Sequence, residues 1–153
     1  MPTKSAGIIA YRKRRDLEVL LVHPGGPFWR NKDLGAWSIP KGEYTDEEDA
    51  EIAARREFAE ELGLAVTMPL IALGQIRQRG GKIVTGFAAE LDVDVSSIRS
   101  NTFEIEWPPR SGKRQHFPEV DRAEWFTVEE AHQRINAGQR PLLERLAQLA
   151  RDG

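Results

Sequence analysis

From Asp46 to Leu62 the chain contains neither glycine nor proline and is dense in Ala, Glu and Arg. These are good helix formers or first-turn acids, so the run predicts a helix. Thr45 and Glu48 have the spacing of a capping box, which predicts a start just after Thr45. Gly63 supplies the C-terminal cap. Most of the chain around this helix reads as β-structure. Residues 5–12 and 17–23 are apolar runs bounded by charge or by Gly and Pro, which predicts two strands joined through the basic turn Arg12–Asp16. Pro24-Gly25-Gly26-Pro27 breaks the sheet. Residues 35–40 read as a short strand and 41–44 as a loop. Residues 69–79 and 82–93 read as two strands meeting at Gly80-Gly81.

Residues 96–118 read as an irregular segment, long for a loop without structure and therefore a candidate functional one. Residues 121–126 form a last predicted strand. A second capping box, Thr127 with Glu130, opens a helix to about Ala137, with Gly138 ending it. Pro141 starts a closing helix with Leu142, Leu143, Leu146 and Leu149 on one apolar face. Strands with helices before and after them predict a mixed sheet covered on both sides, an α/β sandwich. A length of 153 residues predicts one domain, 1–153.

Composition narrows the chemistry. There is no cysteine, which removes disulfides, thiol nucleophiles and thiolate-bound metal. The three histidines, His23, His116 and His132, are scattered, so a multi-histidine metal site is not expected. Net charge −2 provides no global basic field for nucleic acid or a membrane surface. No apolar run approaches the ~20 residues of a membrane span, and the short run 6–11 ends in Arg12-Lys13-Arg14-Arg15 instead of a cleavage site. A cytoplasmic location and a monomer or homodimer are the expectations.

The predicted helix carries an arrangement that folding alone disfavours. At 100° per residue, with Glu57 at the origin, Glu60 falls at about −60° and Glu61 at about +40°. Three carboxylates therefore share one face, while Glu48 points away. Ala50, Ala53 and Ala54 extend that face as a shelf of small side chains, which a loop or substrate could approach closely. At ~4 Å and an effective dielectric of ~20, each like-charge pair costs about 4 kcal/mol. The crowd also sits at the helix C-terminus, where the macrodipole favours cations. A hard divalent cation relieves both penalties, because it takes carboxylate oxygens together with substrate phosphates.

The spacing of the whole segment is more specific. Gly42, Glu48, Arg56-Glu57-Phe58, Glu60-Glu61 and Gly63-Leu64 fill every fixed position of G-x5-E-x7-R-E-U-x-E-E-x-G-U, where U is a bulky apolar residue. This is the Nudix box, and the chain resembles a Nudix hydrolase. The W-S-I-P-K-G entry and the ending E-x5-W-F, Glu119 to Phe126, are similar to the family as well. The resemblance implies a Nudix-type α/β/α sandwich that hydrolyses a nucleoside diphosphate linked to another group, with Mg²⁺ or Mn²⁺. It implies Glu57, Glu60, Glu61 and the Gly42 carbonyl as metal ligands, Arg56 as the residue orienting the glutamates and Glu48 in a structural part. The catalytic base is open among Glu57, Glu119, Glu104 and Glu106, with Glu119 placed six residues before Trp125.

Lys41, Arg77, Arg79 and Lys82 are the candidate phosphate-binding residues, with Arg110, Lys113 and Arg114 behind them. Trp29, Trp37, Phe103, Trp107 and Phe117 are candidates for stacking on a base, Trp37 being better suited to the core. A small nucleotide is the expected partner, with a dinucleoside polyphosphate or NTP as first choice. ADP-ribose, inositol pyrophosphates, the RNA 5′ end and a non-catalytic ligand-binding module are the alternatives. The tyrosine associated with dinucleoside-polyphosphate enzymes 16–18 residues past the box is replaced here by Gly80, Gly81 and Lys82, and the proline associated with ADP-ribose specificity is absent as well.

Overall fold

The computed structural model describes residues 3–152. Its strands are β1 (Lys4–Lys13), β2 (Leu17–Pro24), β3 (Lys41–Glu43), β4 (Ile71–Arg77), β5 (Ile83–Glu90), β6 (Thr102–Glu106), β7 (Arg114–Pro118) and β8 (Val120–Thr127). The helices are α1 (Ala50–Leu62), α2 (Val128–Arg134) and α3 (Arg140–Asp152). The main sheet runs β4-β5-β1-β2-β8, with β3 added to β1. Only β1 with β5 is parallel and the other pairs are antiparallel, so the sheet is mixed as expected.

Period-two alternation divides the core into two layers. Ile8 and Leu20 point to the side where Ala53, Ala54, Phe58 and Leu62 of α1 pack. Ile9, Val19 and Leu21 point to the other, where Ala131 of α2 and Leu142, Leu143 and Leu146 of α3 pack. The result is the expected α/β/α sandwich. Trp37 is core, 1% exposed, with its indole N–H donating to Asp33 Oδ1 at 2.7 Å. No helix among the described residues is long and apolar enough to cross a membrane.

Several local expectations change. Helix α1 starts at Ala50, later than Thr45 predicts: Asp49 is its N-cap, with Oδ2 accepting from Glu51 N and Ile52 N at 3.2 and 3.3 Å. The Thr45–Glu48 capping box does not form, because Arg56 takes the Glu48 carboxylate instead, at 2.9 and 3.0 Å. The C-terminal cap is Gly63 in the left-handed region, as predicted. Ala53 and Ala54 are packed into the core and give no open shelf.

Residues 35–40 make only two isolated bridges, Val22 to Ser38 and Trp37 to Ile135, and the strand forms next door, at 41–43. Helix α2 ends at Arg134, before Ala137, and Leu149 is 44% exposed instead of completing the buried face of α3. The segment expected to be irregular contains the β6–β7 hairpin, a separate two-stranded sheet.

The placement of β3 opens the site. β1 pairs with β2 over Tyr11–Lys13 and with β3 over Ser5–Gly7. The two partners share one edge of β1, so β2 diverges and residues 36–43 occupy the gap. That brings Lys41 and Gly42 alongside the last turns of α1.

Candidate active site

Helix α1 presents Glu57 and Glu61 on the same side as Ala53, Ala54, Phe58 and Leu62, so both carboxylates continue an otherwise apolar face. They are 9% and 8% exposed. Burial pushes the Glu61 carboxyl up to about 8, with the charges of Glu57 and Glu119 adding to it and Lys41 opposing. Glu57 is raised for the same first reason, against its hydrogen bond from Arg56. One oxygen of Glu61, Oε2, is buried without any hydrogen-bond partner. An orphaned buried carboxylate oxygen carries a cost that a bound cation removes.

Arg56 organises the acidic groups. Its Nε and Nη2 donate to the two oxygens of Glu48, and Nη1 donates to Glu57 Oε1 at 2.7 Å. The same Nη1 lies 3.5 Å from Glu60 Oε2. These contacts, the Glu48 bonds first, hold the guanidinium above its usual proton affinity and the Glu48 carboxyl below its usual range. The expected trio is thus divided: Glu57 and Glu61 are buried, while Glu60 has a side chain 39% exposed and turned toward Arg56. Among the described residues no three acidic or imidazole side chains form a ready-made metal cage.

Gly42 is packed onto this cluster. A Cβ there would overlap the Glu57 carboxylate, so only glycine lets the β3 backbone come so close. A backbone packed this closely on a buried pair of carboxylates, one of them with an orphaned oxygen, makes an oxygen-rich cluster of the chemistry that fits a hard divalent cation.

A cleft of about 900 Å³ opens at this end of α1 and is lined by Lys41, Glu61, Arg79, Lys82 and Glu119, among others. Burial, with Lys82 next, lowers the proton affinity of the Lys41 ammonium, while Glu61, Glu43 and Glu57 oppose. Three of the four candidate phosphate-binding residues therefore reach the cleft; Arg77, on the exposed side of β4, does not line it. Glu119 reaches it and its rivals do not. Glu104 is on the separate hairpin, paired with Arg114 and His116, and Glu106 is exposed beside it. Arg110, Lys113 and Arg114 also lie outside the cleft.

Of the aromatic candidates, Trp29 lines the cleft while 39% exposed, and Trp37 lines it from the core. Phe103, Phe117 and Trp107 belong to the hairpin and its contacts. None of His23, His116 and His132 lines the cleft. Sequence reasoning missed Gln78, Asn136 and Gln139. Gln139 is 2% exposed, and its amide accepts from Ile39 N at 3.0 Å and donates to Ser38 Oγ at 3.0 Å. No local pattern marks Gln78 and Gln139, because their partners lie far off along the chain, whereas Asn136 also caps a local turn by accepting from Gly138 N.

A domain of this shape, with the buried Glu61 and two lysines lining one open cleft and Glu57 buried on the same face of α1, is an α/β/α scaffold suited to an anionic, cation-associated substrate. The NUDIX domain model matches residues 1–146. The chain belongs to the Nudix family.

It is similar to a solved Ap4A hydrolase of C. elegans, a binary complex, at 23% identity over 99% of each chain with a TM-score of 0.69. The NUDIX domain of Shewanella oneidensis NrtR, complexed with ADP ribose, matches at 18% identity over 98% of this chain and 89% of that one, TM-score 0.66. A stretch of 56 residues is 41% identical to an RNA pyrophosphohydrolase of Caulobacter vibrioides, covering 33% of each. The match thus spans about a third of the length of these curated relatives.

Proposed function

We propose that the protein is a divalent-cation-dependent pyrophosphohydrolase acting on a nucleoside diphosphate derivative, with a dinucleoside polyphosphate of the diadenosine tetraphosphate kind or an NTP as first choice. The observation that carries this reading is the orphaned, buried oxygen of Glu61, set between Glu57 and a cleft that also holds Lys41, Arg79 and Lys82. Glu57, Glu60, Glu61 and the Gly42 carbonyl would hold Mg²⁺ or Mn²⁺. A bound ion of this kind supplies neutralising charge to phosphoryl oxygens and makes water more acidic.

The chain's own residues do the rest. Lys41, Arg79 and Lys82 hold the distal phosphates and orient the anhydride for attack. Arg56 locks the Glu57 rotamer, so that carboxylate is positioned before substrate arrives. Glu119, at the cleft wall, accepts the proton of the attacking water as general base. Trp29 offers a ring on which a base stacks. The similarity of the chain as a whole to an Ap4A hydrolase supports the first-choice substrate. The 56-residue match to an RNA pyrophosphohydrolase favours a second reading, the triphosphorylated RNA 5′ end.

The deciding experiment is a substrate panel of NTPs, NDPs, dinucleoside polyphosphates, ADP-ribose and 5′-triphosphorylated oligonucleotide, with Mg²⁺ and with Mn²⁺, products resolved by chromatography. Cation-dependent cleavage of a dinucleoside polyphosphate or NTP is the expected result. Preference for the oligonucleotide selects the second reading, and inertness toward every member with either ion overturns the hydrolase assignment.

A further inference from the structure

Three backbone hydrogen bonds cross the molecule in one line. Asn101 N–H donates to Glu60 C=O at 2.9 Å, Glu119 N–H to Asn101 C=O at 2.8 Å, and Gly25 N–H to Glu119 C=O at 2.9 Å. They join the last turns of α1 to the loop after β2, with Glu119 between them. Asn101 and Glu119 are also the two ends of the β6–β7 hairpin, so these bonds close its base.

The hairpin sits on two glycines. A Cβ on Gly25 would overlap the Pro118 carbonyl oxygen. A Cβ on Gly26, whose φ is +99°, would come within 2.9 Å of Phe103 Cζ. Phe103 faces Phe117 across the hairpin, ring centroids 6.1 Å apart. Further out, Phe28 meets Trp107 edge-on at 5.4 Å. The Gly25-Gly26 pair, a plain sheet breaker by sequence, is thus the flat seat against which the hairpin base is pressed.

We propose that the Gly25-Gly26 seat and the Phe103 ring resting on it are positioning elements for Glu119. They act through that residue and touch neither substrate nor cation. The proposal rests on the reading of Glu119 as general base. Moving the ring shifts the Glu119 backbone, while Glu57 and Glu61 stay on α1 and Lys41 stays where β3 holds it. The loss therefore falls on kcat and leaves KM and cation affinity in place.

The test is steady-state kinetics on Phe103→Ala, Gly26→Ala, Glu119→Gln and the Phe103→Ala/Glu119→Gln double variant, using the best substrate of the panel. Mn²⁺ affinity by electron paramagnetic resonance and the unfolding midpoint are read alongside. Phe103→Ala is expected to lower kcat by about 10- to 100-fold with KM and Mn²⁺ affinity essentially unchanged, as a displaced catalytic group does. Phe103→Tyr, which keeps the ring, restores kcat. In the double variant Phe103→Ala causes no further loss beyond Glu119→Gln, because the two act as one unit.

Losses that multiply, a raised KM at constant kcat, or no loss at all overturn the proposal. Should Phe103→Ala fail to fold, Phe103→Leu is compared in the same cycle. If Glu119→Gln is silent while Glu57→Gln and Glu61→Gln abolish turnover, the positioning role fails and the hydrolase reading stands. If the latter two are also silent, the site itself is misassigned.

Discussion

Glu61 concentrates the electrostatic cost of the site. Its carboxyl is pushed up to about 8 by burial and by its acidic neighbours, so the fold retains a proton that the unfolded chain gives up at ordinary carboxylate pH. Between roughly pH 4.5 and 8 the native state therefore binds more protons, and stability falls as pH rises through that window. Glu61→Gln removes this slope. In chelator-treated protein it is expected to be more stable than wild type by about 1–3 kcal/mol at pH 8, and no more stable at pH 4.5, by thermal unfolding. The same change, like Glu57→Gln, is expected to lower turnover by orders of magnitude; near-native rates at saturating Mg²⁺ would remove both from the site. Arg56→Lys keeps the charge and loses the fork to Glu48. It is expected to reduce activity about 10- to 100-fold, the usual effect of losing a group that orients a metal ligand.

Helix α1 shows how one residue can overrule a motif. The T-x-x-E spacing at Thr45 is a genuine capping-box pattern, yet Asp49 makes the cap because Glu48 is drawn across to Arg56. Asp49→Ala is expected to cost about 1 kcal/mol in denaturant unfolding, with Thr45→Ala close to neutral. Equal losses from the two would restore the earlier start. The same contrast holds for the hairpin. Its strands carry Phe103, Ile105 and Phe117 at partly buried positions, but they pair with one another instead of joining the main sheet, so the alternation is short and weak. Thr127 with Glu130, by contrast, caps α2 as its spacing predicts, because no distant cation competes for Glu130.

For the whole molecule, a cation held by the buried acids of α1, as proposed, would couple its binding to folding. A cation that binds only the native state stabilises it by mass action, about 2.7 kcal/mol at 100 times its Kd. Wild-type protein is therefore expected to gain thermal stability on titration with Mn²⁺ or Mg²⁺, while Glu57→Gln and Glu61→Gln gain much less. Equal gains in all three would place the ion elsewhere. The cleft is likewise a property of the whole fold, made from residues 36–41, the β4–β5 connection and residues 136–139 together with Glu61 and Glu119.

What could be read along the chain was whatever repeats at short range. The Gly- and Pro-free run to Leu62, the cap at Gly63 and the common face of Glu57, Glu60 and Glu61 follow from helix chemistry and periodicity, while Gly42, Glu48 and Arg56 were legible through resemblance to the Nudix box. They were enough to specify the sandwich and its acidic helix. Tertiary structure alone decided that Glu60 turns to Arg56 while Glu61 is left with an orphaned oxygen, that Glu119 reaches the cleft and Glu104 does not, and that Gly25 and Gly26 lie beneath the hairpin. Those outcomes depend on contacts between groups many tens of residues apart. Their strength comes from desolvation and close approach, which no spacing along the chain encodes.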